Sequence, residues 1–500
     1  MAVYLIGSDL ESRDAAGTTD LDEMVDGLNQ MTPAERSQLD LVIAFGGAKK
    51  PGWQGVKVMN AEQLLEDAED GIYGNASGPD AYLFTDANFN MSDPANLQLF
   101  LTYLATEHSF QRERFLVLWN HGSGYEGYGF DETFGQLLSI SEVENALVQS
   151  GLPKLDLLGF DACLMANLEV ASALRNEARY LLASEELEPG HGWNYRYVVP
   201  NFVRKPTYDY AVGVVDDFVK HSSHPYKSNG KTLSVLDLDQ LPGLIAYLDL
   251  YAGALAAEVR PNSQAAPQFV RSMVEVQRFM EVPGLEFGAA LDLKDFVQRS
   301  LLVEGEAKAN LLAALKHVVV YAKEDGTRPL AGGLSIITPD QNAQRLPFTA
   351  YPSQGWASLA RASLEIIGSD LQAPVLTGLE RTAQFLRATF NDSLLVKVTA
   401  VNGFVENNLL VVLEQAPARL TDSISRWEIP VWDGAAYHIE YDSVLPATPL
   451  ATTFIRTGEI DGQSFDLYRS RIEYLDADDA GGVFKRGHLE FVVVEGEVED

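Results

Sequence analysis

The sequence predicts an α/β protein: a mostly parallel sheet flanked by helices, followed by a smaller, mostly antiparallel β domain. Three observations predict it. Short apolar runs alternate with helical periodicities over the first two hundred residues. Such alternation builds a parallel sheet covered on both faces. Long helical patterns continue to about residue 368, and after Gly368–Pro374 (GSDLQAP) they fade into strand-like runs between turn residues.

In chain order, the β-rich runs of the first part are Val3–Ile6, Leu39–Phe45, Ala81–Phe84, Phe115–Trp119, Leu155–Phe160 and Tyr180–Ala183. Between them, Leu97–His108 repeats apolar residues at three- and four-residue spacing. Ser141–Gln149 opens on a serine with Glu144 three residues on, a capping-box pattern, and Ala166–Asn176 reads as a further short helix. Beyond residue 200, Tyr208–Lys220, Leu241–Val259 and Asn310–Lys323 read as helices, interrupted by strand-like Thr232–Leu236 and Gly333–Thr338. Pro339 stops the latter. The last part offers strands at Leu394–Ala400, Leu409–Leu413, Ile424–Ile429, His438–Tyr441, Phe465–Tyr468 and Leu489–Val494, the pattern of a sandwich-like domain. Two domains follow, residues 1–368 and 375–500, as 500 residues exceed what one core serves.

Composition narrows the function. The 71 acidic and 37 basic residues give a net charge of −34, the opposite of a phosphate-binding surface, so no nucleic-acid partner is expected. The excess suits solubility, a cationic substrate or calcium. No run approaches the length and apolarity of a membrane span. The opening MAVYLIGSDLE reads as a core strand running into a loop rather than a signal peptide, which leaves a cytoplasmic protein or one whose leader is already gone.

The single cysteine, Cys163, excludes an intrachain disulfide and a Cys-rich zinc site. A lone cysteine is most often a small buried hydrophobe. Its setting argues otherwise: an apolar strand ends near Phe160, Asp161 and Ala162 follow, and a helix is expected just after Cys163. A helix N-terminus there would stabilise a thiolate. A second strand, Phe115–Trp119, ends in Asn120 and His121, followed by Gly122, Ser123 and Gly124. Ligand sites in parallel sheets form beyond the carboxyl ends of strands, where a histidine serves as acid or base. If the two strands are neighbours, His121 and Cys163 share one edge. A third strand ends in Ser184, Glu185, Glu186 and Glu188, acids suited to a cationic side chain. His191, further from its strand end, is a weaker candidate base than His121.

These loops resemble the clostripain family of cysteine peptidases, relatives of caspases, gingipains and legumain. The resemblance rests on NHGSG at 120–124, GFDACLMANLEVA at 159–171 and SEELEPGHGW at 184–193. GSDLE at 7–11, NMSDP at 90–94, TLSVLDL at 232–238 and GLSI at 333–336 extend it over roughly residues 1–350. It implies a caspase-like fold and an endopeptidase cutting protein or peptide substrates after Arg or Lys. Cys163 would be the nucleophile, His121 its partner, and the Gly122 and Cys163 N–H groups an oxyanion hole. Asp161 would be the acid that meets the basic side chain, with Glu185 or Glu186 as a second. The resemblance also implies a secreted or bacterial envelope protein, and it allows a calcium ion, structural or activating. The run DADDAGG at 476–482 has part of a calcium-loop pattern but not its spacing.

One departure stands out: no Lys or Arg lies between Arg114 and Lys154, so self-cleavage by a basic-specific enzyme between the two loops is not expected. Two other readings compete with this one. A catalytically inactive relative acting as a binding or scaffold protein would keep the fold without the chemistry. A metal-dependent hydrolase using His121 and His191 lacks HExxH or any tight ligand cluster.

Overall fold

The protein is described from a computed structural model. The structure describes residues 1–71, 73–74, 81–108, 113–220, 230–260, 263, 265–266, 269, 272–273, 276–279, 290–300, 302–339 and 347–369. It also describes the backbone strands between residues 376 and 494. The chain groups into two compact units. The first comprises Met1–Leu248, Ala290–Asp295 and Ala309–Ile337; the second comprises Asp249–Ala289, Phe296–Lys308 and Thr338–Asp500. Residues 368–374 fall within the second.

The first unit is built on one nine-stranded sheet. Its strands are β1 (Ala2–Ile6), β2 (Val42–Gly46), β3 (Val56–Asn60), β4 (Phe84–Asp86), β5 (Phe115–Trp119), β6 (Leu155–Asp161), β7 (Ala178–Ala183), β8 (Thr232–Asp237) and β9 (Val319–Glu324). Their order across the sheet is β9-β8-β7-β6-β5-β1-β2-β3-β4. The five central strands β7, β6, β5, β1 and β2 run parallel. An antiparallel pair extends each side: β3 and β4 beyond β2, β8 and β9 beyond β7.

The centre of this sheet is buried on both faces, which is why its strands read as continuous apolar runs rather than alternating ones. Every residue of β1, β2 and β5 is buried. Helix α1 (Ser8–Asp14) and helix α2 (Ala16–Asn29) follow β1, and α2 buries Leu21, Met24 and Leu28. Trp53 stacks on Phe45 with ring centroids 3.9 Å apart, and Trp193, Tyr195 and Tyr210 belong to the same core.

Two local expectations are corrected. Helix α3 (Ile140–Ser150) takes its capping box from Ser139 and Glu142, not from Ser141 and Glu144. The segment SISEVE contains both registers. The earlier one buries Ile140, Val143 and Leu147 as one stripe, so packing decides. The helix expected over Asn310–Lys323 ends at Val318, where Val319–Glu324 becomes β9 and pairs antiparallel with β8. The β-branched run Val318–Val319–Val320 favours a strand. Gly333–Thr338 contributes the short strand Ser335–Ile337, paired with Ala290–Asp292.

In the second unit, Phe296 meets Phe269 and Trp356 edge-on, with centroids 6.5 and 5.2 Å away. Gly355 donates its N–H to Asp249 Oδ1 at 2.9 Å, and a Cβ there would lie 2.3 Å from the Asp249 carbonyl oxygen, so only glycine fits. The C-terminal part is β-rich, as expected. Seven strands (Leu376–Arg381, Leu386–Phe390, Ala400–Gly403, Leu409–Leu413, Thr452–Ile460, Gln463–Asp476 and Lys485–Val494) form one sheet. All its pairings are antiparallel except that of Leu386–Phe390 with Gln463–Asp476. Trp427–Trp432 and Tyr437–Tyr441 form a separate hairpin. The strand expected at Leu394–Ala400, apart from Ala400, and the run 477–482 lie outside the described residues.

Candidate active site

Strands β5 and β6 are adjacent and parallel, and Trp119 pairs with Asp161 at their carboxyl ends. The next residues of each chain, Asn120–His121 and Ala162–Cys163, therefore leave the sheet side by side. The approach is close: a Cβ on Gly122 would lie 2.1 Å from the Cys163 carbonyl oxygen, so the glycine after His121 is sterically required. Among the described residues no backbone carbonyl accepts the N–H of Gly122 or of Cys163. The Gly122–Tyr128 bridge is instead closed by Gly129 N–H on His121 O and Ser123 N–H on Gly127 O.

Cys163 does not sit at a helix N-terminus. The helix begins at Leu168, capped by Asn167, whose Oδ1 accepts the Glu169 N–H at 3.1 Å. The intervening chain turns through Leu164 at φ 68°, a left-handed conformation rarely adopted by a branched residue. It is held by Leu164 N–H on Glu186 O (3.2 Å) and Ala166 N–H on Ser184 O (2.8 Å). The helix dipole thus has no role at the sulfur. The Cys163 Sγ accepts the Glu188 N–H at 3.2 Å. Burial pushes the thiol up to about 11, with the Glu186 and Asp161 carboxyls adding to it and the Glu188 N–H opposing it.

The imidazole of His121 is held from the other side. Its Nε2 lies 2.8 Å from Asp9 Oδ1. The hydrogen bond to His121 is the main reason the Asp9 carboxyl is lowered to about 2. Asn120, beside His121, donates through Nδ2 to Ile6 O (2.5 Å) and Ser8 Oγ (2.9 Å), and accepts the Phe130 N–H (2.7 Å).

The structure separates the acids into two groups. Asp161 is buried, accepts the Trp193 N–H at 3.2 Å and the Tyr195 hydroxyl at 2.9 Å, and is pushed up to about 6 by burial. Gly192, at φ 55°, covers it; a Cβ there would lie 2.9 Å from its Oδ1. Beside it lies the carboxyl of Glu188, raised well above its usual range first by burial and then by Asp161. The Glu188 carboxyl interacts with that of Asp161 and with the Trp193 side chain. Asp20 lies behind, accepting the Trp119 indole N–H at 2.7 Å and likewise raised by burial and by Asp161.

Glu185 and Glu186 point elsewhere. Glu186 Oε2 accepts Arg328 Nε–H at 2.7 Å in an ion pair whose side chains are 2% and 6% exposed, respectively. Glu185 accepts the Gly333 N–H at 2.7 Å and is raised by burial and by the neighbouring Asp292. His191 is engaged through Nδ1 with Gly192 O at 2.8 Å. Sequence reasoning placed Glu188 among the loop acids but gave no sign of its burial beside Asp161. It missed Asp9 altogether, although GSDLE was noted; only the fold brings that loop to His121.

Among the described residues no group of three or more His, Cys, Asp or Glu side chains is arranged to hold a metal ion, and no helix is long and apolar enough to cross a membrane.

The mostly parallel, helix-flanked sheet has the caspase-like fold. The chain belongs to the clostripain family, whose sequence profile matches residues 3–356, and is thereby a cysteine-type endopeptidase. It is similar to an inactive zymogen C11 protease from Parabacteroides distasonis (19% identity, TM-score 0.51, covering 72% of this chain and 96% of that one). It is also similar to a secreted C11 cysteine protease from Bacteroides thetaiotaomicron, solved with an irreversible peptide inhibitor (20% identity, TM-score 0.49, covering 67% of this chain and 91% of that one). No curated protein matches the chain.

Proposed function

We propose that this peptidase cleaves peptide bonds after Arg or Lys through Cys163 and His121. One observation carries the reading: the edge that holds both side chains also holds two buried, adjacent carboxyls, Asp161 and Glu188, each raised by burial and with no cation to balance their charge among the causes of either shift. Two such groups cannot both ionise in a buried site unless a cation arrives. A guanidinium or ammonium on the substrate supplies that cation and its donors. Asp161 is the principal acid in this reading. Glu185 and Glu186, matched to Gly333 and Arg328, shape the wall behind it.

The chemistry starts from a neutral thiol, because burial keeps Cys163 protonated at rest. His121 takes the thiol proton as sulfur attacks the scissile carbonyl. The oxyanion that forms is met by the Gly122 and Cys163 N–H groups. Collapse expels the amine, which takes the proton from His121, and leaves a thioester on Cys163. Water, deprotonated by His121, attacks the thioester; the carboxylic acid leaves and the thiol is restored.

The chain works uncut between Arg114 and Lys154, since that span offers no basic residue. Its partners are peptides or proteins with a basic residue at the cut. Like the secreted Bacteroides protease it resembles, it acts outside the cytoplasm.

The other reading, an inactive relative serving as a binding protein, draws on the thiol pushed up to about 11. Fluorogenic peptides ending in Arg, Lys, Asp or Leu decide between them. Turnover of the Arg or Lys peptide, abolished in Cys163→Ala and in His121→Ala, is expected. No turnover of any peptide favours the binding protein, and preference for Asp or Leu removes the role given to Asp161.

A further inference from the structure

We propose that Asp9 is the positioning residue of the active site: it fixes His121 as the Nε2–H tautomer and turns Nδ1 toward the thiol. This rests on His121 being the base of the reaction. The carboxylate Oδ1 lies 2.8 Å from His121 Nε2. An ionised carboxylate only accepts, so Nε2 must carry the proton. Nδ1 is then the unprotonated nitrogen, the one able to take the Cys163 proton.

The fold places Asp9 by a dedicated device. The chain leaves β1 through Gly7, where a Cβ would sit 2.8 Å from the Phe45 ring and 2.9 Å from Glu11 Cβ. Ser8 then adopts φ 48° and is fully buried. A non-glycine residue in that region is strained. The Ser8 turn is held by Asn120, the residue immediately before His121, which donates to Ile6 O and Ser8 Oγ at 2.5 and 2.9 Å. One asparagine therefore ties the turn that carries Asp9 to the strand end that carries His121.

The middle of α1 is fixed by Glu11, which accepts Thr18 N–H, the Thr18 hydroxyl and Lys50 Nζ. The turn cannot relax without moving the imidazole's partner. Arg13 is the other charge on Asp9, at 3.7 Å and largely exposed. Across the site lies the Cys163 thiol, with the Asp161, Glu186 and Glu188 carboxyls acting on it.

The test uses the full-length protein and a fluorogenic peptide ending in Arg. Asp9→Asn is expected to lower kcat on the order of 10- to 100-fold with little change in KM. Asp9→Glu should recover part of the loss. Activity of Asp9→Asn within twofold of wild type, or a loss that appears in KM rather than kcat, overturns the proposal. If the variant does not fold, the His121 ring nitrogens of the wild-type protein decide by NMR: a proton on Nε2 is expected, and one on Nδ1 overturns it. Cys163→Ala and His121→Ala run alongside. Should His121→Ala retain turnover, the base assignment fails; should both be inactive while Asp9→Asn matches wild type, only the positioning role fails.

Discussion

The backbone N–H of Glu188 donates to Cys163 Sγ at 3.2 Å, while the Glu188 carboxyl lies buried beside Asp161. One residue therefore touches both the nucleophile and the proposed pocket acid. Glu188→Gln keeps the backbone contact and removes the charge. We expect kcat/KM for a peptide ending in Arg to fall on the order of 10- to 100-fold, the value of a hydrogen bond to a charged group. The reactivity of Cys163 toward iodoacetamide should be little lower than in wild type. Steady-state kinetics beside an alkylation assay checks this; unchanged kcat/KM means Glu188 does not meet the substrate.

The raised thiol predicts a particular pH dependence. With Cys163 pushed up to about 11 by burial, its rate of alkylation should climb through pH 7, 8 and 9 without levelling. A plateau below pH 7 would show a preformed thiolate–imidazolium pair instead. Mass spectrometry of the single labelled cysteine measures it directly.

Stability should fall as pH rises through the weakly acidic range. Asp161 and Asp292 are pushed up to about 6, and Glu169 to about 7, each chiefly by burial. A carboxyl raised in the folded state keeps its proton while the unfolded chain has already lost its own, so its contribution declines between about pH 4 and pH 7. Asp9, lowered to about 2 by His121, works in the opposite sense, but only below about pH 4. The melting temperature should therefore be higher at pH 5 than at pH 8, and a peptide aldehyde ending in Arg should raise it more at pH 8. Calorimetry at the two values tests both statements.

The Glu186–Arg328 pair is structural. Arg328→Met leaves a buried carboxylate without its cation and should cost about 3–5 kcal/mol, whereas joint replacement of both residues by apolar ones should cost much less. Denaturant unfolding of the single and double variants gives the comparison.

A denaturing gel tests the absence of processing. Active protein should show no break between His121 and Cys163, because no Lys or Arg lies between Arg114 and Lys154.

Much of the first unit was legible because buried parallel strands write themselves as unbroken apolar runs. Phe115–Trp119 is found as read, and Leu155–Phe160 is extended only by Asp161. The adjacency of these strands is a fact of topology. Chain order could suggest that His121 and Cys163 meet, but not require it. The local readings that failed did so for packing reasons. Ser139 rather than Ser141 caps its helix because that register buries the right stripe, and the strand at Val319–Glu324 needed β8 to pair with. The helix expected from Ala166 begins at Leu168, and a left-handed turn at Leu164 that no propensity announces separates it from Cys163. Asp9 and Glu188 were hidden for another reason: one comes from the first loop of the chain, the other from an acidic cluster whose members look alike until burial sorts them.

The protonated thiol also bears on durability. Oxidants attack the thiolate far faster than the thiol, and a chain with one cysteine has no second sulfur to turn a sulfenic acid into a recoverable disulfide. By keeping Cys163 protonated between turnovers, the protein protects a side chain that it could not repair by itself.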